Sequence, residues 1–150
     1  MGKYEKYVIQ NPVDYGEKRY YPVGYWGPNV WFKGNVDFGG KPFTLTFIRV
    51  EHDMVMEEVA HNHDFDMWVW QLPLEHDNME DLSCDVEMVF GSGTEDDPKE
   101  AYTLAKTGCF YIPAGVVHGP YTFKNVKKPI LFIHAMTEGD YHKSEVFPEK

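Results

Sequence analysis

Short apolar runs, cut by glycine and proline, constrain this chain more than any other feature. Between residues 30 and 135 they are Val30–Phe32, Val36–Phe38, Thr44–Val50, Met67–Leu72, Cys84–Phe90, Tyr102–Ala105, Cys109–Ile112, Tyr121–Phe123 and Ile130–Ala135. They recur about every 8–12 residues, the spacing of a sandwich or barrel. Their β-branched and aromatic side chains suit strands, and none is long enough for a helix that buries a core. Gly34-Asn35 and Gly39-Gly40 read as hairpin turns. Val55-Met56 and Val59-Ala60 lead toward residue 61, and residues 73–83 read as an acidic loop or short helix. The Gly91–Pro98 segment is a loop by composition, and its acids Glu95, Asp96 and Asp97 read as a solvated turn. Neither an internal repeat nor a βαβ alternation is present, so the expectation is an all-β fold in one domain over 1–150.

Residues 1–29 break this pattern. Tyr15-Gly16, Tyr21-Pro22 and Gly27-Pro28 leave no helical period. This segment reads as an aromatic-rich N-terminal arm, with a short strand at Tyr7–Ile9. From Glu138 onward the sequence is polar and reads as a short helix or tail.

Charge and cysteine content narrow the function. A formal net charge of −10, with scattered lysines, argues against a nucleic-acid partner. No apolar run approaches the ~18 residues of a membrane helix. The charged start, Met-Gly-Lys-Tyr-Glu-Lys-Tyr, has no apolar stretch behind it, so the expected compartment is the cytoplasm. Cys84 and Cys109 are then expected as reduced thiols.

The chemistry concentrates at His61-Asn62-His63. Alternate residues of a strand share a face, so both imidazoles point one way. Neutral imidazoles converging from one strand are ligands for Zn, Fe, Mn, Ni or Cu. A second piece lies downstream, Gly108-Cys-Phe-Tyr-Ile-Pro113-Ala-Gly115-Val-Val-His118. Its Pro and Gly frame a tight turn that can deliver His118 to a fixed place.

The joint pattern resembles the cupin superfamily over roughly residues 43–135. The family's first motif is usually written G-x5-H-x-H-x3,4-E-x6-G and its second G-x5-P-x-G-x2-H-x3-N. Here 111–118 resembles the second motif well, with Gly108 one residue closer than usual and Thr122 in place of Asn. The first motif departs further. Met67 stands where the glutamate ligand is usual, and Val55 and Leu74 stand where its glycines would be. The resemblance implies a double-stranded β-helix (a jelly-roll barrel), one divalent transition metal and a homodimer.

Three site readings stay open. In one, His61, His63 and His118 form a three-histidine centre, as in cupin dioxygenases that lack the glutamate; the uncompensated charge of the ion then favours an anionic ligand. In another, Asp66 replaces the glutamate or supports the ligands, which needs a bulge to re-aim it. In the last, the site binds no metal and the histidines line a pocket. Met67, Gln71, Tyr111 and His134 are candidate pocket-lining residues, with Met67 filling space and not ligating. Trp68 and Trp70 fall on the opposite face of their strand. Glu57 and Glu58 read as exposed charges or as partners of an imidazole; His52, His76 and His142 read as solvated. The function expected is a small metalloenzyme acting on a small anionic organic substrate, with an Fe(II)-type three-histidine dioxygenase as the leading reading and Fe, Mn, Ni or Zn as candidate ions. The alternatives are a metal-assisted isomerase, epimerase or decarboxylase without O2, or a non-catalytic binding protein.

Overall fold

The structure is a computed structural model that describes residues 2–10 and 29–146, with backbone pairing also at Asp14–Tyr15 (β1), Tyr20–Tyr21 (β2) and Gly24–Tyr25 (β3). The remainder of the aromatic arm lies outside the described residues. At Tyr7–Ile9 the expected strand is absent; Glu5–Tyr7 instead forms one turn of 3-10 helix, closed by the Tyr7 amide donating to the Tyr4 carbonyl at 2.9 Å.

The strands that follow are β4 (Asn29–Lys33), β5 (Thr44–Val50), β6 (Met54–Glu57), β7 (His61–Asn62), β8 (Met67–Pro73), β9 (Asp81–Phe90), β10 (Glu100–Lys106), β11 (Gly108–Ile112), β12 (His118–Lys124), β13 (Ile130–Met136) and β14 (Ser144–Glu145). All pair antiparallel. One sheet runs β1-β4-β5-β13-β8-β11; the other runs β10-β9-β12-β7-β14, with β6 also on β12. The two sheets face each other as the double-stranded β-helix expected from the sequence. Among the described residues no helix is long and apolar enough to cross a membrane.

The period-2 pattern fixes which residues meet inside. Across the first sheet, Trp31 pairs with Thr46, Thr46 with His134, His134 with Val69, and Val69 with Phe110. All five side chains are buried. The next inner row brings Met136 to Met67, and Met67 to Ile112. Val86, Met88, Tyr121 and Phe123 close the core from the second sheet. Each large apolar side chain so buried contributes roughly 1.5–3 kcal/mol. The opposite parity places Trp68 and Trp70 on the outer face, as the alternation predicts.

Two further segments depart from the sequence reading. Val36–Phe38 is a turn, not a strand: the Val36 and Asp37 amides both donate to the Lys33 carbonyl, and the Asp37 carboxylate accepts from the Lys33 amide at 2.8 Å. A side chain that satisfies its own local backbone outcompetes strand pairing there. Gly34 permits the loop to close, because a Cβ would sit 1.8 Å from the Lys41 carbonyl oxygen. The polar tail after Glu138 is not a helix. It folds back as a strap, with β14 paired to β7 and the Val146 amide donating to the Ala60 carbonyl at 2.7 Å.

Candidate metal centre

His61 and His118 stand opposite one another across the β7–β12 ladder. The two sequence pieces, far apart in the chain, thus meet as direct cross-strand partners. His63 lies one alternation further on and faces the same way. The three rings have centroids 4.3–5.1 Å apart, and one nitrogen of each lies within 4.8 Å of the others. All three are buried, at 1%, 4% and 1% exposure.

The outer nitrogens are all occupied. His61 Nδ1 bonds the Val59 carbonyl at 2.9 Å, His63 Nδ1 the His142 carbonyl at 2.6 Å, and His118 Nδ1 the Val116 carbonyl at 2.9 Å. A carbonyl only accepts, so each Nδ1 must carry the proton and each Nε2 keeps a lone pair. For His63 and His118 that Nε2 is buried with no hydrogen-bond partner. Leaving a buried acceptor unpaired costs about 1–3 kcal/mol. An electron-pair acceptor between the rings would remove that cost, so the residues present fit a metal ion. Burial drives the ring pKa values down, to about 4 for His63 and about 3 for His118, with that of His61 also lowered. The three are therefore neutral near pH 7, the form that ligates.

Local chain geometry delivers these rings. Gly115 has φ +84°, and its amide donates to the His63 carbonyl at 2.7 Å. The Pro113–Gly115 turn is thereby docked on the first histidine strand. Asp66 works in this bracket: its carboxylate accepts the Ala114 amide at 3.0 Å, while its backbone pairs with Thr137. Asp66 is outside the cluster of three histidines, and its carboxylate holds the turn that carries His118. Gly119 has φ +107°, and a Cβ there would lie 3.0 Å from the Val59 carbonyl oxygen that holds His61.

A cavity of about 40 Å³ opens beside the cluster, with room for a few waters. Met67 and His134 are among the residues that line it. His134 is 7% exposed, its pKa is pushed by burial to about 3, and its Nε2 has no partner. Tyr111 and Gln71 are not in that lining. Tyr111 pairs in register with Trp68, stacks on that ring outside the barrel and is 51% exposed. Gln71 is fully buried and faces inward, its amide bonded to the Tyr121 hydroxyl.

Glu57, which the sequence offered as an exposed charge or a partner of an imidazole, and Tyr141, which nothing in the sequence marked, both line this cavity. Glu57 enters it from β6, and Tyr141 enters from the strap. The strap also supplies the His142 carbonyl that holds His63. The His142 ring itself is exposed and pairs with Asp64 at 2.5 Å; with Glu138 these form a second, surface group of potential ligands.

No family model matches the chain, and no curated protein matches it. Solved structures do. A single-site variant of oxalate decarboxylase from Bacillus subtilis aligns with TM-score 0.55 and 13% identity over 84% of this chain. The same enzyme at pH 4.6 aligns with TM-score 0.54 and 14% identity over 97% of it. Peruvianin-I, a cysteine peptidase from Thevetia peruviana latex, aligns with TM-score 0.58 and 12% identity over 100%. The chain spans 28% of the length of the first and 82% of the length of the last. At such identities the likeness concerns the fold, which these structures share with the present chain.

Proposed function

We propose that the chain is a metal-dependent enzyme of cupin type, with one divalent transition metal held by His61, His63 and His118. One observation supports this above all. Each ring is fixed through Nδ1 on a backbone carbonyl, and the Nε2 atoms of His63 and His118 are left buried and unpartnered. That is how ligating histidines are commonly oriented. A histidine trio kept only for packing would gain nothing from bare inward lone pairs.

The ion supplies Lewis acidity and open coordination positions for a small molecule. Three neutral imidazoles leave its charge uncompensated, which favours a ligand atom that is anionic when bound. The chain's own residues do the rest. Met67, Val69 and Met88 keep water scarce in the cavity, the Pro113–Gly115 turn fixes His118, and the strap fixes His63. Among cupin chemistries we favour an Fe(II) dioxygenase, because the position of the usual glutamate is Met67, whose thioether brings no charge to the site. A metal-assisted isomerase or decarboxylase that consumes no O2 is separated from it with an oxygen electrode.

The reading is tested by metal analysis of the protein as purified, and by melting temperature with and without Fe(II), Mn(II), Ni(II) or Zn(II). At 100 times Kd an ion bound only to the native state adds about 2.7 kcal/mol. His61→Ala should abolish that gain while the protein stays folded. No rise with any of the four ions refutes the proposal.

A further inference from the structure

The β6 strand is irregular where it meets the cavity. Tyr121 pairs with Glu57 and the next residue, Thr122, with Val55, so Met56 is an extra residue in a β-bulge. A regular strand would send Met56 and Glu57 to opposite faces; the bulge lets both line the cavity. The Glu57 side chain is 18% exposed and doubly held. Its Oε1 accepts the Tyr141 hydroxyl at 3.3 Å, and its Oε2 accepts the Lys143 ammonium at 2.8 Å. Lys143 also faces Glu145 at 3.4 Å, so two carboxylates share one ammonium and the trio carries −1.

Tyr141 lies between this trio and the histidines. Its ring meets His63 edge-on with centroids 5.3 Å apart, and His134 at 5.9 Å. Its hydroxyl donates to Glu57. The Glu57 carboxylate only accepts. Among the described residues no arginine lines the cavity, and the nearby ammonium of Lys143 is engaged by the two carboxylates.

We propose that Glu57, with Tyr141 held against it, selects the ligand of the histidine site: a small molecule that presents an ammonium group to this wall, in preference to one that presents a neutral or anionic group there. The inference rests on the three histidines holding a metal. The ligand's metal-binding atom faces the histidines and its donor head faces Glu57. Entry displaces the Tyr141 ring, which the strap carries ahead of β14 and outside any strand.

The test uses two probes that share a hydroxyl and differ in charge, 2-aminoethanol and glycolate, titrated into the Co(II)-loaded full chain by visible absorption. In Glu57→Gln the ratio of the two affinities should shift at least about tenfold toward glycolate, with cobalt stoichiometry unchanged. In Lys143→Met, which leaves both carboxylates and removes the ammonium, the ratio should shift the other way. A ratio unmoved in both variants overturns the proposal, as does equal weakening of both probes, the mark of a merely structural role. A wild-type cobalt spectrum that 2-aminoethanol leaves unchanged at millimolar concentration also overturns it. Failure of the wild-type chain to take up cobalt refutes the metal reading instead.

Discussion

Acidifying the metal-free protein should unfold it by a steep, calculable route. His63, His118 and His134 have native pKa values of about 4, 3 and 3 because burial penalises the imidazolium. In the unfolded chain each returns to about 6.5. Between those values the unfolded state binds more protons than the native state, so stability rises with pH and is lost as pH falls. From pH 7 to pH 5 the loss is about 2 kcal/mol per histidine, or about 6 kcal/mol for three. That sum requires only that the native values lie at about 4 or lower. It compares with a total stability of about 5–15 kcal/mol for a domain of this kind. The assay is urea unfolding by circular dichroism, after chelation, at half-unit steps from pH 7 to pH 5. The slope should approach about 4 kcal/mol per pH unit at the acid end. A slope near 1.4 kcal/mol per pH unit, one proton's worth, would show that these rings are not buried as neutral bases.

Asp66→Ala should lower stability by about 1–2 kcal/mol and weaken metal binding while leaving all three ligands in place, because the Ala114 amide loses its acceptor and the His118 turn loosens; isothermal titration with Zn(II) against wild type checks this, and unchanged affinity would remove Asp66 from the site's support. Gly115→Ala and Gly119→Ala both strain a left-handed backbone, by about 1–2 kcal/mol. They should differ at the metal. Gly115 has open space around its Cα, whereas an added Cβ at Gly119 presses on the Val59 carbonyl that orients His61. Only Gly119→Ala should therefore weaken metal binding beyond its effect on melting temperature, and equal metal affinities in the two variants would refute that link.

The fold was legible because its signal is local. Strands such as Met67–Pro73 alternate buried and half-buried residues without exception, and that alternation is written in the side chains themselves. The meeting of His61 with His118 was legible for a different reason: turn chemistry at Pro113 and Gly115 implies a return strand, and the cupin resemblance supplied the pairing. Val36–Phe38 was misread because apolar content alone cannot reveal that Asp37 closes a turn on Lys33. The parity of Tyr111 was recoverable. Phe110 and Ile112 are apolar neighbours that must face the core, which sends Tyr111 outward.

Glu57 and Tyr141 were not recoverable in this way, and the reason bears on how the site works. Strict alternation on β6 predicts that a cavity-facing Met56 sends Glu57 to solvent. Only the register against β12, a long-range property, shows the extra residue that turns the carboxylate inward. Tyr141 sits in a stretch so polar that nothing local marks it as a wall of the cavity. The acid that the cupin pattern would place on β8 is absent at Met67, and the cavity's acid comes instead from β6, tied to Tyr141 and Lys143 and outside the ligand cluster. A carboxylate in the ligand position would offset the ion's charge directly. On the proposed reading, Glu57 leaves that charge for the ligand to offset and acts on the ligand's other end.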